Sequence, residues 1–126
     1  MIIHRITMYI ALLCTMDAQF ADKWKSQVKK GVLEFIILIL LSHKELYGYE
    51  LLDKIKETTG YEVAEGTIYP LLNRLKTHNI IDSYWVEMDS GVPRKYYKMT
   101  KTGTRILEQM KKYWFELNGN INKIIN

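Results

Sequence analysis

The chain has 126 residues and a formal net charge of +4, and 48% of its residues are hydrophobic. This length and composition fit one folded domain and exclude a disordered or low-complexity protein. The single cysteine, Cys14, excludes an internal disulfide and a multi-cysteine metal site. The three histidines stand far apart and no glycine-rich phosphate loop is present, so we predict no metal, no cofactor and no enzymatic activity.

Residues 1–15 differ from the rest of the chain. They have a basic start and an apolar run over residues 8–14, which is too short to cross a bilayer and is followed by no signal-peptide cleavage site. Met16 offers a second start point, after which the composition becomes amphipathic. We therefore expect residues 1–15 to be an extra N-terminal segment, or the result of a start assigned too early, outside the folded domain.

Three helices are predicted next. Residues 22–30 contain no turn signal and are followed by an apolar run over residues 32–41, which predicts one long helix over about residues 21–42, although periodicity alone would also allow a central strand for that run. A helix this apolar in a small domain needs cover on more than one side, which indicates a partner chain. Residues 47–58 and 65–78 have apolar side chains at i, i+3, i+4 and i+7, and Gly60 is placed to cap the first of these two helices.

The third helix begins unfavourably. Ala64 supplies no capping hydroxyl, and Pro70 removes a backbone hydrogen bond from the second turn. Such departures from local preference are more common at functional ends.

A hairpin follows the third helix. Residues 83–88 and 95–99 are rich in β-forming side chains, and residues 89–93 between them form a turn cluster. Residues 94–105 hold five of the 18 basic residues and no acidic one, while the other 13 basic and 14 acidic residues leave −1 for the rest of the chain. A basic patch of this kind attracts a polyanion, although a solvated basic face would look the same by charge alone.

Thr100 is placed to cap a last helix that starts at Lys101. Apolar residues recur along it at alternating spacings of 3 and 4, which is typical of helices that pair, although Gly119 and its asparagine neighbours should weaken the helix. We predict a dimer interface here; the alternative is that the helix packs only on its own domain. The predicted interface residues are Leu107, Met110, Trp114, Leu117, Ile121 and Ile124.

The order helix, helix, helix, hairpin predicts a winged helix-turn-helix fold: mainly α, with a two-stranded wing and with N-terminal and C-terminal dimerisation helices. The winged domain is expected over residues 16–104 and the dimerisation helix over residues 105–126. In this geometry the third helix enters the DNA major groove beside the wing. Thr67 and Asn73 can hydrogen-bond base edges, whereas the groups suited to phosphates are Tyr69, Arg74, Arg94 and Lys95.

Several strings of residues resemble the PadR-like transcriptional regulators. They are MDAQ at 16–19, WKSQVKKG at 24–31, YGYEL at 47–51, EGTIYPLLNRL at 65–75 and SGVPRKYYKMT at 90–100. The sequence departs from the family pattern at Ala64, where a hydroxyl residue is commoner.

The resemblance implies a cytoplasmic, homodimeric repressor that binds a pseudo-palindromic operator in double-stranded DNA. In similar multidrug-sensing members, a tryptophan of the C-terminal helix stacks on planar aromatic compounds at the dimer interface. Trp114 stands at the matching place, and we expect Met110 and Leu107 to line the same ligand site; the alternative is that Trp114 only packs in the interface. Two further hypotheses stay open: a winged-helix protein-interaction module without a specific DNA target, and a ligand-binding dimer with residual DNA affinity.

Overall fold

Four helices and three short strands make up most of the chain in the computed structural model, which describes all 126 residues. In chain order the elements are α1 (Ile2–His43), β1 (Leu46–Tyr47), α2 (Gly48–Thr59), α3 (Glu65–Thr77), β2 (Ile81–Val86), β3 (Arg94–Met99) and α4 (Lys101–Ile125). The predicted order of three helices, a hairpin and a last helix is confirmed, as is the mainly α fold with a wing. We call β2, β3 and the loop between them the wing.

The chain divides into two compact units, residues 1–33 and residues 34–126. The first unit contains the N-terminal part of α1, in which residues 1–28 are all exposed. The expectation that this helix begins near residue 21 is wrong, because it begins at Ile2. The reason lies in the sequence, where no glycine or proline interrupts residues 2–30. None of the four helices combines the length with the apolar character that a membrane span requires.

The second unit is built around one hydrophobic core. Every helix with residues in this unit supplies fully buried aliphatic side chains to it, and the sheet supplies three more residues. The buried residues are Ile37, Leu38 and Leu41 of α1, Leu51 and Ile55 of α2, Ile68, Leu72 and Leu75 of α3, Leu107 of α4, and Leu46, Ile81 and Tyr97 of the sheet.

The sheet has three antiparallel strands in the order β1-β3-β2. The register pairs Leu46 of β1 with Tyr97 of β3, and Trp85 of β2 with Lys95 of β3. Because successive side chains alternate between faces, these four residues belong to the same face of the sheet. Leu46 and Tyr97 are buried, whereas Trp85 is exposed nearer the tip of the wing.

The helix ends follow the sequence signals closely. Gly60 ends α2 in the left-handed conformation with φ of 72°, as predicted. Thr100 caps α4, its hydroxyl accepting a hydrogen bond of 2.9 Å from the Gly103 N–H. At the start of α3, Ala64 makes no side-chain cap and Pro70 lies inside the helix. The expected weakening of α4 near Gly119 produces no break, since the helix continues to Ile125.

Candidate nucleic-acid interface

A cleft of about 630 Å³ lies between α3, the start of α2 and the wing; we call it the wing cleft. It brings together four of the six residues predicted to bind DNA, namely Tyr69, Asn73, Arg94 and Lys95. The other two, Thr67 and Arg74, are exposed on α3 outside the cleft lining. The remaining lining residues are Tyr47, Gly48, Tyr49, Trp85, Ser90, Val92, Pro93 and Tyr97.

The exposed face of α3 is defined by the residues opposite its buried ones. Ile68, Leu72 and Leu75 face the core. Given the helical repeat of 3.6 residues, the line pointing directly away from them contains Gly66, Pro70, Asn73 and Thr77, all of which are exposed. We call this the outward line. Thr67 and Arg74 lie on one side of it and Tyr69 on the other, which is the side of the wing cleft.

Tyr69 is held against the start of α2. A Cβ added to Gly48 would lie 2.8 Å from the Tyr69 Cε1 atom and closer still to its hydroxyl oxygen. Burial raises the pKa of the Tyr69 phenol above 10, and the nearby Glu65 carboxylate raises it further. Tyr69 therefore keeps its proton at neutral pH and can donate a hydrogen bond to a phosphate oxygen.

Glu65 also engages a second phenol at this end of the cleft. Its hydrogen bond with Tyr49 is the largest cause of the raised pKa of Tyr49, ahead of the charge of the same carboxylate. Tyr49 thus remains a neutral hydrogen-bond donor beside a carboxylate, whereas the lining of the wing cleft contains no acidic residue.

The wing supplies the cations of the cleft, and each cation lies over an aromatic ring. The Lys95 Nζ atom is 5.6 Å from the centre of the Trp85 ring and 6.0 Å from that of Tyr97. The Arg94 guanidinium carbon is 4.6 Å from the centre of the Tyr47 ring. These rings hold the charges in place without neutralising them, since no acidic partner is paired with either residue in an ion pair of the structure.

Trp85 is a site residue that our sequence analysis considered only as a β-former. Its side chain is 65% exposed, although tryptophan is highly buried on average in folded proteins. In the structure Trp85 lies directly opposite Lys95 in the hairpin. The sequence does not show this pairing, because the register of a hairpin with a five-residue turn cannot be fixed from the turn residues alone.

Arg74 is already engaged within the chain. Its guanidinium forms an ion pair with the Glu34 carboxylate of α1, while 58% of the Arg74 side chain stays exposed. The pair links α3 to the first residue of the second unit. In this structure Arg74 therefore sits beside the outward line of α3, turned toward α1 and away from the wing cleft.

The predicted interface residues of α4, which we call the α4 seam, differ in how much of each side chain is exposed. Leu107 is 1% exposed in its own core, so it has no surface left to offer a partner or a ligand. Trp114 is 39% exposed, and its ring centre lies 5.8 Å from that of Phe35 of α1. Beyond it Leu117, Ile121 and Ile124 are increasingly exposed.

Comparison with known proteins assigns these features to a family. The model of the transcriptional regulator PadR-like family matches residues 37–109, a stretch that contains the core, α3 and the whole wing. The chain belongs to this family. PadR-like proteins are DNA-binding transcriptional regulators, so this chain is a regulator of that class and not an enzyme.

Solved structures agree with the assignment. A PadR-like transcription factor from Bacteroides fragilis is 43% identical with a TM-score of 0.69, and the match covers 81% of this chain and 98% of that one. A PadR-like transcriptional regulator from Bacillus cereus is 38% identical with a TM-score of 0.73, covering 79% and 97% of the two chains. By sequence alone, the chain is also similar to the transcriptional regulator YqjI of Escherichia coli K12, with 33% identity over 81 residues, which are 63% of this chain and 37% of that protein.

Proposed function

We propose that this PadR-like regulator is a homodimeric cytoplasmic repressor in which each subunit places α3 in the major groove of one half-site of a pseudo-palindromic operator. The observation that carries the proposal is the wing cleft. It joins the exposed face of α3 to the segment that holds the basic excess of the chain. A basic surface of this kind binds the phosphate groups of nucleic acids.

The residues divide into two roles. Thr67 and Asn73 have neutral polar side chains near the outward line of α3 and read base edges. Tyr69, Arg94 and Lys95 surround the wing cleft and hold phosphates of the flanking strand. Arg74 reaches a phosphate on the other side of α3, with Glu34 orienting its guanidinium.

The wing is tested by removing its two cations together. Arg94→Ala combined with Lys95→Ala should weaken binding to operator and to random DNA alike, because phosphate contacts carry no sequence information. The slope of log K against log salt should fall in magnitude by about 2 per subunit. The measurement is fluorescence anisotropy over a salt series, on an operator selected from a random duplex library by the unmodified protein.

A matched control removes the same charge elsewhere. Lys112→Ala with Lys123→Ala takes two exposed lysines from α4, and its salt slope should equal that of the unmodified protein. Equal slopes for the wing variant and the unmodified protein would exclude the wing from the contact.

No salt-dependent binding by the unmodified protein at low salt would favour a protein-interaction module instead. A reporter promoter overlapping the operator should lose expression; a gain would make the protein an activator.

We infer that the second half of the α4 seam forms the dimer interface. Leu117, Ile121 and Ile124 are apolar and exposed in the single chain, and Met110 and Trp114 precede them at the same spacing. Leu107 is left out of the interface because its own core buries it. Residues 105–126 keep the predicted role of a dimerisation helix.

Trp114 also supports a ligand site for a planar aromatic compound that releases the DNA. Its partly exposed ring lies beside Phe35, and Met110 is one turn earlier on the same side of α4. An indole face attracts aromatic and cationic molecules. Leu107 is fully buried, so the site consists of Trp114 and Met110 on this helix.

The ligand site is tested with acridine orange as the planar aromatic cation. In a protein carrying Trp24→Phe and Trp85→Phe, the remaining Trp114 fluorescence should be quenched saturably by the dye; DNA is left out because the dye itself intercalates into the duplex. Trp114→Ala should lose the response to the dye, followed by the anisotropy of the dye's own fluorescence, while keeping dimerisation and DNA binding. An unchanged response in that variant would assign Trp114 to packing alone.

A further inference from the structure

Gly66 is an exposed helical glycine that the fold does not require. Its φ is not positive, since Gly60 and Gly91 alone among the glycines have positive φ. A Cβ added to Gly66 would meet nothing within 4 Å. Gly48 and Gly103 differ, because a Cβ at either would collide with Tyr69 or with the Ile80 backbone. Glycine is a poor helix former, so Gly66 weakens α3, and no contact within the chain requires a glycine at this position.

The position of Gly66 on α3 indicates that the reason for a glycine lies outside the chain. Gly66 and Pro70 are one turn apart on the outward line of α3, and neither carries a long side chain. In this first half of α3 the line is flanked by Thr67 on one side and by Tyr69, which packs on Gly48, on the other. At Gly66 the exposed surface of α3 is therefore the helix backbone itself.

We propose that Gly66 sets the distance of closest approach between α3 and the edges of the base pairs, which makes it a specificity-determining residue. The proposal rests on the proposed function, because it needs α3 in the major groove. Thr67 and Asn73 have short side chains, so they reach base edges only when the helix backbone comes close to the groove floor. A methyl group at position 66 would stand between the two surfaces and hold both side chains away.

The test compares two exposed helical glycines, Gly66 in the first turn of α3 and Gly119 in the interior of α4. Gly66 and Gly119 are both helical and exposed, and a Cβ at either meets nothing within 4 Å. Gly119 lies on the side of α4 opposite the seam. Gly66→Ala and Gly119→Ala should each raise Tm by about 1–5 °C, because alanine is the better helix former. Gly66→Ala should also weaken operator binding about tenfold, while Gly119→Ala leaves it unchanged.

The measurements are thermal unfolding and affinity for the selected operator and for random DNA. The loss in Gly66→Ala should be larger on the operator than on random DNA, where base edges are not read. Operator binding by Gly66→Ala as tight as that of the unmodified protein would overturn the proposal while leaving the proposed function intact. A lower Tm in Gly66→Ala would also overturn it, since Gly66 would then serve to relieve the clash between Pro70 and the Gly66 carbonyl four residues before it. If the unmodified protein binds no DNA, the proposed function itself fails.

Discussion

At the scale of single residues, the tightest fit in the wing cleft is between Gly48 and Tyr69. The Tyr69 ring occupies the space that a side chain at position 48 would need. The sequence contains this pair within two of its recognisable strings, YGYEL and EGTIYPLLNRL, yet nothing in either string shows that the two residues touch. Their contact depends on how α2 and α3 pack, which is a property of the tertiary structure.

The fit predicts that Gly48→Ala is destabilising. The added methyl group would lie 2.8 Å from the Tyr69 Cε1 atom, so the ring must move or α2 must shift. We expect a loss of about 1–3 kcal/mol in the free energy of unfolding, measured by urea denaturation. The same substitution in a Tyr69→Ala background should cost nothing, because the obstacle is gone. A cost that persists in that background would place the strain elsewhere.

At the scale of secondary-structure elements, those whose bounds depend on neighbouring residues in the sequence were predicted correctly. α2 and α3 match their predicted bounds within a residue, because their apolar spacing is regular and Gly60 marks an end. The Thr100 cap of α4 is equally local. The wing hairpin was also predictable, although its first strand begins at Ile81 and not at residue 83.

The elements that were not predicted depend on distant partners. β1 has only two residues, and it exists as a strand because β3 supplies its hydrogen bonds, with Leu46 opposite Tyr97. The predicted hairpin is therefore part of a three-stranded sheet. Likewise, the predicted DNA-binding set lacked Trp85 and Tyr49, since its members came from helix faces and charge, and the cleft that joins them forms only in three dimensions.

At the scale of the whole molecule, exposed apolar side chains occur in both units. In α1 they include Phe20, Trp24 and Val28, and in α4 they include Leu117 and Ile121. Large apolar surface on a small protein marks interaction sites. In the proposed dimer a second copy of the chain would cover part of this surface symmetrically, since a two-fold interface uses the same surface from each subunit.

The α4 seam gives the sharpest test of the dimer. Ile121 is 45% exposed in the single chain, and Ile121→Glu would put a charge into the interface. We expect the variant to sediment as a monomer and to lose most of its operator affinity, because the second half-site no longer contributes. Asn122→Glu adds the same charge about 100° around the helix and should remain a dimer. A dimeric Ile121→Glu variant would remove the seam from the interface.

The junction between the wing and α4 has a mechanical consequence. The Thr100 hydroxyl lies 2.9 Å from the Ile80 carbonyl oxygen and caps α4, and a Cβ at Gly103 would lie only 3.1 Å from the Ile80 carbonyl carbon. These contacts fix the start of α4 to the residue that precedes the wing, so a rigid-body tilt of α4 would carry the wing with it. The 25 residues of α4 span about 37 Å, so a tilt of about 5° displaces one end relative to the other by about 3 Å. That displacement is close to the rise of one base pair, about 3.4 Å, so in the proposed dimer such a tilt would put the two half-sites out of step.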